Sequence, residues 1–493
     1  MDHYERKINI MGEIIKSKNG TIISPYKKHQ CRTLENVTSI YDNVYHKRNE
    51  ITGFYVDNYN GLPAFITHNQ SPEMIGFNFN DYTVRNMRTT RAKKQSQFFK
   101  LNEDIVLREM QGEISESILL DTHYKEFFVN AQTGSGKTVL GVYITSVLQC
   151  KTMILCFSTE ILNQWKSTFV NKTNKDPDKI MIISSSEILD KVYEEPEAYN
   201  DYDIYLSTPG IITSYLKRTD YSRLERIMNG FGIGLLIFDE SHRNMSNTVK
   251  INALSNVDKT IYMSADYAQG DRKKEKLYYQ IFNKCKIITP SEDVSKTMKY
   301  TKIINITYDS HPSTAESMAI YNRYGYSADN YMRYQIRKGI IFKVLDFIMS
   351  AIQDEHRVLI LVTQIAHVDE ITIYLKGVWK DKFTFGRYHS KVPPEEKEFA
   401  KNDADVIVST YKSFSTGIDV DDIRYVVGLN QSNKVEDNQA AGRSRPLKDG
   451  KDAIYFIVTD NGFPYCKKKL KQRLKYLNKT KIKDCFVVDF DSV

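Results

Sequence analysis

Residues Ala131 to Thr138 read AQTGSGKT, directly after an apolar run, Phe127-Phe128-Val129, with the character of a strand. A strand running into a glycine-rich turn that ends in Gly136-Lys137-Thr138 has the geometry that holds a nucleoside triphosphate. Gly134 and Gly136 let the backbone curl so that its N–H groups point at phosphate oxygens, with Gln132, Thr133 and Ser135 completing the loop. Lys137 is placed to reach the β- and γ-phosphates, and the Thr138 hydroxyl to bind Mg²⁺. Val139 to Leu148 is helix-compatible, which sets the phosphates at a helix N-terminus. ATP and Mg²⁺ are the expected ligands.

Outward from this loop the chain alternates strand and helix. Strands are expected at Phe127–Asn130, Met153–Phe157, Lys179–Ile183, Ile204–Ser207, Leu235–Phe238 and Thr260–Met263, with helical stretches between most of them. A mostly parallel sheet covered on both faces follows. Residues 285–340 read as irregular and tyrosine-rich. A second alternating series then begins at Val358–Val362, Asp405–Ser409, Tyr425–Leu429 and Ala453–Val458, without a second phosphate loop. The first hundred residues are polar-aromatic runs punctuated by Asn and Gly, as in a small β-rich or mixed module.

Composition bounds the class. A chain of 493 residues is too long for one core and implies two to four domains. No apolar run approaches the roughly 18 residues of a membrane span. The N-terminal MDHYERKINIMGEII carries charges where a signal peptide needs an apolar segment. Six cysteines without a C-x-x-C pair indicate free thiols in a reducing compartment, so a cytoplasmic location is expected. The net charge of +8 is weak evidence for nucleic acid, but its distribution is uneven. Arg85, Arg88, Arg91, Lys93, Lys94 and Lys100 cluster ahead of the phosphate loop. A second cluster runs from Lys467 to Lys483, where Leu470, Leu474 and Leu477 recur at helical spacing, so one face packs and the other is basic. Each cluster alone reads equally as phosphate contact or as a solvated face.

The second strong signal is Ile237-Phe238-Asp239-Glu240-Ser241-His242. A buried strand ending in two carboxylates suits a magnesium nucleotide site, with Asp239 holding the metal through its water shell and Glu240 orienting or deprotonating the attacking water.

AQTGSGKT followed by DESH resembles the first motor domain of superfamily 2 helicases and translocases. Leu107-Arg108-Glu109-Met110-Gln111 resembles the upstream element in which a glutamine reads adenine, so Arg108 and Gln111 join the ATP-binding set. Phe157-Ser158-Thr159, Leu162 and Gln164-Trp165 resemble an element that touches the nucleic-acid backbone, as do Thr208-Pro209-Gly210. In the second half, Ser409-Thr410 through Gly417-Ile418-Asp419 looks like motif V, and Gln439-Ala440-Ala441-Gly442-Arg443 like motif VI. The resemblance spans about residues 104 to 460. It implies two tandem RecA-like parallel-sheet motor domains, 101–295 and 296–493, behind an N-terminal accessory domain, 1–100. Within the superfamily the wording is most similar to UvsW-type phage helicases and their XPB-like relatives, motors that remodel branched DNA, which points to a viral or phage source and to the host cytoplasm.

The resemblance also assigns roles. Arg443 becomes the arginine finger, an effect worth about a thousandfold or more. Gly417, Asp419 and Arg445 stand by the nucleotide, and His242, Ser264, Asp266 and Gln439 couple hydrolysis to strand movement. Thr159, Gln164, Thr208, Pro209, Gly210 and Thr410 meet phosphates without reading bases. Two positions depart from the pattern. Asp266 replaces the usual threonine and cannot donate a hydrogen bond when ionised. Pro446 stands where a second arginine is usual, so Arg443 is the stronger finger and Arg445 is divided between catalysis and surface. Trp165 and Trp379 read as packing residues. The expectation is a monomeric ATP-driven motor on nucleic acid, DNA before RNA, with replication or transcription proteins as possible partners. A transcription-release or RNA-directed motor and a non-catalytic scaffold are the alternatives.

Overall fold

The computed structural model describes residues 12–18, 20–25, 39–42, 47–50, 53–68, 82–87, 92–131, 134–264, 278–290, 301–323, 325–352, 356–415, 420, 422–429, 440, 447, 450–477 and 482–490. The chain divides into two compact units, residues 1–132 with 136–290, and residues 133–135 with 291–493.

The first unit is built on a seven-stranded sheet. Its order is Ile180–Ile182, Ile204–Ser207, Thr152–Leu155, Leu235–Phe238, Lys259–Ser264, Glu126–Asn130 and Lys286–Ile288, and every pairing is parallel. Leu235–Phe238 and Ile204–Ser207 are buried along their whole length, as near-continuous apolar runs in a doubly covered sheet should be. Lys286–Ile288 is an edge strand that the sequence reading did not anticipate. Ser158 starts the Thr159–Lys172 helix by accepting from Ile161 N at 3.5 Å. Thr208 starts Pro209–Arg218 by accepting from Ile211 N at 3.2 Å, with proline at the first helical position.

The N-terminal residues form a five-stranded sheet ordered Gly53–Tyr59, Leu62–His68, Gly20–Ser24, Gly12–Lys16 and Tyr82–Asn86, antiparallel except for the last pair. This sheet shares a core with the motor sheet. Ile22, Phe54 and Ile66 are fully buried in one cluster with Tyr215, Ala253 and Leu254. Ile22, Phe54, Ile66 and Leu254 each contribute roughly 1.5–3 kcal/mol through burial. Polar contacts register the two sheets: Ser17 Oγ donates to Ala253 O at 2.7 Å, and Asn58 Nδ2 to Thr219 O at 2.8 Å. Gly20 permits the approach, since a Cβ there would lie 2.3 Å from Thr67 O and 2.9 Å from Ala253 Cβ.

The second unit carries another seven-stranded, all-parallel sheet. Its order is Phe385–Tyr388, Val406–Thr410, Arg357–Val362, Ile423–Gly428, Ala453–Asp460, Thr301–Tyr308 and Ile482–Asp489. Thr301–Tyr308 corrects the irregular reading of 285–340. It gains its place by pairing with Ala453–Asp460 and Ile482–Asp489, partners about 150 and 180 residues away that local pattern does not reveal. After it come two helices, Thr314–Ile320 and Ala328–Arg337, and a hairpin of Tyr321–Asn322 with Gly325–Tyr326. Tyr326 stacks on Tyr465 with ring centroids 3.9 Å apart, which seats the hairpin on the basic helix Pro464–Leu477.

That helix packs Leu470 and Leu474 against the sheet and exposes Lys467, Lys468 and Lys471. Arg473 departs from the basic face: it is buried, with Nη2 3.4 Å from Tyr455 Oη. The Leu477 side chain, Arg88 and Arg91 lie outside the described residues. No described helix is long and apolar enough to cross a membrane.

Candidate active site

Because the first sheet is parallel, its strands deliver their carboxyl ends to one edge. Asn130, Leu155, Ser207, Phe238 and Ser264 close those strands, so the phosphate loop, Ser158, Thr208, Asp239 and Ser264 belong to that edge. In the loop Gly134 and Gly136 have φ of +76° and +81°, a region that favours glycine. Gln111 fixes the loop from the side. Its Nε2 donates to Gly136 O at 2.9 Å, and its Oε1 accepts from Arg108 N at 2.8 Å. A Cβ on Gly136 would sit 2.4 Å from Gln111 Nε2. Gln111 thus holds the phosphate loop here, a contact that the adenine-reading role did not suggest.

Lys137 is buried at the start of the Lys137–Leu148 helix. Its Nζ donates to Ala131 O at 3.2 Å and stands 3.5 Å from Glu240 Oε1. Asp239 Oδ1 accepts from Glu240 N at 2.9 Å, and Oδ2 from Trp165 Nε1 at 2.9 Å. Glu240 takes φ of +48°, an uncommon conformation for a non-glycine residue that turns the chain sharply off the strand. His242 Nδ1 lies 2.9 Å from Ser264 Oγ and 3.3 Å from Glu240 Oε2, which joins three of the sequence-predicted residues in one contact.

The two carboxylates differ electrostatically. Burial, and then the neighbouring Glu240, push Asp239 above the ordinary carboxylate range. Burial also opposes ionisation of Glu240, but Lys137, His242 and Arg243 together outweigh it and hold its carboxyl below that range.

The arrangement fits a magnesium nucleotide. Glu240 Oε2 is buried and accepts no hydrogen bond among the described residues, an acceptor available to a bound water. Among the described residues each Asp239 oxygen accepts from one donor and keeps lone-pair capacity. No group of three or more metal-ligating side chains occurs among the described residues. Mg²⁺ held by one carboxylate, the Thr138 hydroxyl, waters and phosphate oxygens needs none.

The residues expected to meet nucleic acid fall at helix starts. Thr159 opens its helix one residue after the Ser158 cap, and Gln164 lies on the same helix. The Thr208 hydroxyl caps its own helix, ahead of Pro209 and Gly210. Thr410 Oγ1 accepts from Ser413 N at 3.0 Å and lies 2.8 Å from Ser413 Oγ. These three hydroxyls or their neighbours are engaged locally, which leaves first-turn N–H groups as donors for phosphate. In the second unit the carboxyl ends of Arg357–Val362 and Phe385–Tyr388 border a cavity of about 590 Å³ lined by Gln364, Arg387, His389 and Lys391. No motif in the sequence reading flagged it; the edge position is the signal that would have. Gln132, Thr133, Asp266, Gly417, Asp419, Gln439, Arg443 and Arg445 lie outside the described residues.

Comparison with known proteins agrees with this layout. Residues 104–268 match the family described as type III restriction enzyme, res subunit, and residues 341–445 match the helicase conserved C-terminal domain. Over 159 residues the chain is 24% identical to the general transcription and DNA repair factor IIH helicase/translocase subunit XPB of Encephalitozoon cuniculi (strain GB-M1). That match takes in 29% of this chain and 22% of the relative's length. Among solved structures, a Dbp5 variant of S. cerevisiae bound to RNA and ADP BeF3 superposes with a TM-score of 0.53 at 14% identity, covering 78% of this chain and 90% of that one. Mss116p bound to ssRNA and AMP-PNP gives 0.50 at 15% identity, covering 78% and 75%. Two parallel-sheet units of RecA-like fold and these two family matches define the class. Residues 104–268 and 341–445 together carry the paired domains of a superfamily 2 helicase, a class of nucleic-acid-dependent ATPases.

Proposed function

We propose that the chain is a motor that couples Mg²⁺-ATP hydrolysis to movement on, unwinding or remodelling of DNA, with branched DNA as its substrate in viral or phage replication, recombination or repair. The observation that carries the chemistry is the meeting of Lys137 with Glu240 at 3.5 Å, beside Asp239, at the carboxyl edge of the first sheet. Bound Mg²⁺ would neutralise charge on the triphosphate, with Asp239 and Thr138 as its protein ligands. Lys137 and the loop N–H groups would bind and orient the phosphates. Glu240, kept ionised by Lys137, would orient the attacking water and receive its proton. Arg443 would supply the transition-state charge, Gly417, Asp419 and Arg445 would serve nucleotide binding, and Gln439 would join the coupling set. His242, Ser264 and Asp266 would pass the hydrolysis event to the strand. The preference for DNA rests on the motif wording and on sequence likeness to a relative whose name includes DNA repair.

That same name includes transcription, which favours one second reading: a motor that acts on a transcription complex with little strand separation. ATP hydrolysis measured against forks, four-way junctions, linear duplex and single-stranded RNA distinguishes the readings. Strongest stimulation by forks and junctions is expected. Stimulation by RNA alone contradicts the DNA assignment.

A further inference from the structure

Trp165 does more than pack. We propose that it is a positioning residue that ties the helix offered to nucleic acid to the carboxylate that holds Mg²⁺, so that strand binding near Ser158 and Thr159 is felt at Asp239. The inference rests on the motor reading and gives it a physical connection within the first unit.

The indole is fully buried. Its Nε1 donates to Asp239 Oδ2 at 2.9 Å, while Glu240 N fixes Oδ1 at the same distance. The carboxylate cannot rotate without losing one of these bonds. On its other side the indole meets the helix that follows the phosphate loop: a Cβ on Gly141 would lie 2.4 Å from Trp165 Cη2. Phe169, one turn further along, backs it with ring centroids 6.3 Å apart. Trp165 is therefore wedged between the phosphate-loop helix and the end of the Leu235–Phe238 strand. It sits on Thr159–Lys172 less than two turns beyond Thr159, the residue expected to meet the strand. A shift of that helix moves the indole N–H relative to Asp239, and hydrogen bonds weaken steeply with misalignment. The acceptor is a carboxylate, which makes the bond stronger than a neutral one. Phenylalanine would supply the ring without the donor.

The chain has two tryptophans, and Trp379 bonds Asp346 in the other unit, so Trp379→Phe leaves Trp165 as the sole indole reporter. Calorimetry first establishes AMP-PNP binding with Mg²⁺. Trp165 emission is then followed as Mg²⁺-AMP-PNP and, afterwards, forked DNA are added. The expected result is a shift in emission with Mg²⁺-AMP-PNP and a second, distinct shift with DNA. Nucleotide binding with emission unmoved by DNA overturns the coupling and leaves the motor reading intact; no binding of Mg²⁺-AMP-PNP overturns both. Trp165→Phe provides an independent arm if it folds. The Mg²⁺ concentration for half-maximal AMP-PNP binding should rise about tenfold, consistent with losing a hydrogen bond to a charged group. A lowered melting temperature with unchanged Mg²⁺ dependence means packing alone, and overturns the proposal.

Discussion

Lys137 Nζ lies 3.5 Å from Glu240 Oε1, although the two residues come from different strand ends and stand 103 positions apart in the chain. The contact brings the phosphate-binding cation to the carboxylate assigned to water and helps hold that carboxyl below the ordinary range, while burial, and then Glu240, raise the adjacent Asp239. It divides the labour between binding and chemistry. Glu240→Gln keeps the shape and should retain Mg²⁺-ATP binding while lowering hydrolysis by roughly a hundredfold to ten-thousandfold, the range for a lost general base. Nucleotide binding by calorimetry and turnover by phosphate release check the two halves separately.

Ser264→Ala removes the hydroxyl 2.9 Å from His242 Nδ1. With that hydroxyl gone, the imidazole loses a contact with the Lys259–Ser264 strand and retains its contact with Glu240. Stimulated turnover should fall by about tenfold, in line with one buried hydrogen bond. The readout is the ratio of ATPase rates with and without DNA, and an unchanged ratio removes this pair from the coupling path.

Lys175 and Asp203 form a fully buried ion pair at 2.6 Å, and Asp203 also accepts from Ser96 N at 2.7 Å and Gln97 N at 3.2 Å. The pair pins Ser96 and Gln97 beside the start of the Ile204–Ser207 strand. Asp203→Ala leaves the Lys175 charge buried without its carboxylate and should cost about 3–5 kcal/mol, read as a lower denaturant midpoint.

His68 supplies a pH test of the joint between the N-terminal sheet and the motor sheet. Its ring is fully buried, with Nε2 3.1 Å from Asn252 Nδ2 and 3.7 Å from Glu126 Oε2, and Lys284 is the nearby cation. Burial lowers its pKa below the ordinary 6.5, against the pull of Glu126 and with Lys284 adding to the fall. The unfolded chain therefore takes up a proton near pH 6.5 that the folded chain refuses. This contribution to stability is fully present above that value and is lost as pH falls through it toward the folded pKa. Urea midpoints should drop between about pH 7.5 and about pH 5, and His68→Gln should flatten that slope.

How much of this was legible beforehand depended on how far apart the contributing residues lie. The phosphate loop and Asp239-Glu240 were readable because each is a contiguous stretch whose chemistry follows from strand, turn and residue type. The Trp165–Asp239 bond was not, since a tryptophan 74 positions from its acceptor looks like any other core aromatic until the sheet order is known. The same holds for Gly20, whose need for glycine arises from Thr67 and Ala253, and for Gln111, whose loop contact depends on where Gly136 turns. In the second unit, Val358–Val362 stood out as a continuous apolar run. Thr301–Tyr308 mixes Thr, Asn and Lys with its isoleucines and becomes a strand only through its two distant neighbours.

Phosphate release from Mg²⁺-ATP, compared between the native chain and Lys137→Ala across forked DNA, linear duplex and single-stranded RNA, tests the central claim most directly. The account predicts hydrolysis that rises with DNA, most with forks, and loss of that stimulated rate by about a thousandfold or more in Lys137→Ala. Equal DNA-stimulated rates in the two proteins would contradict it.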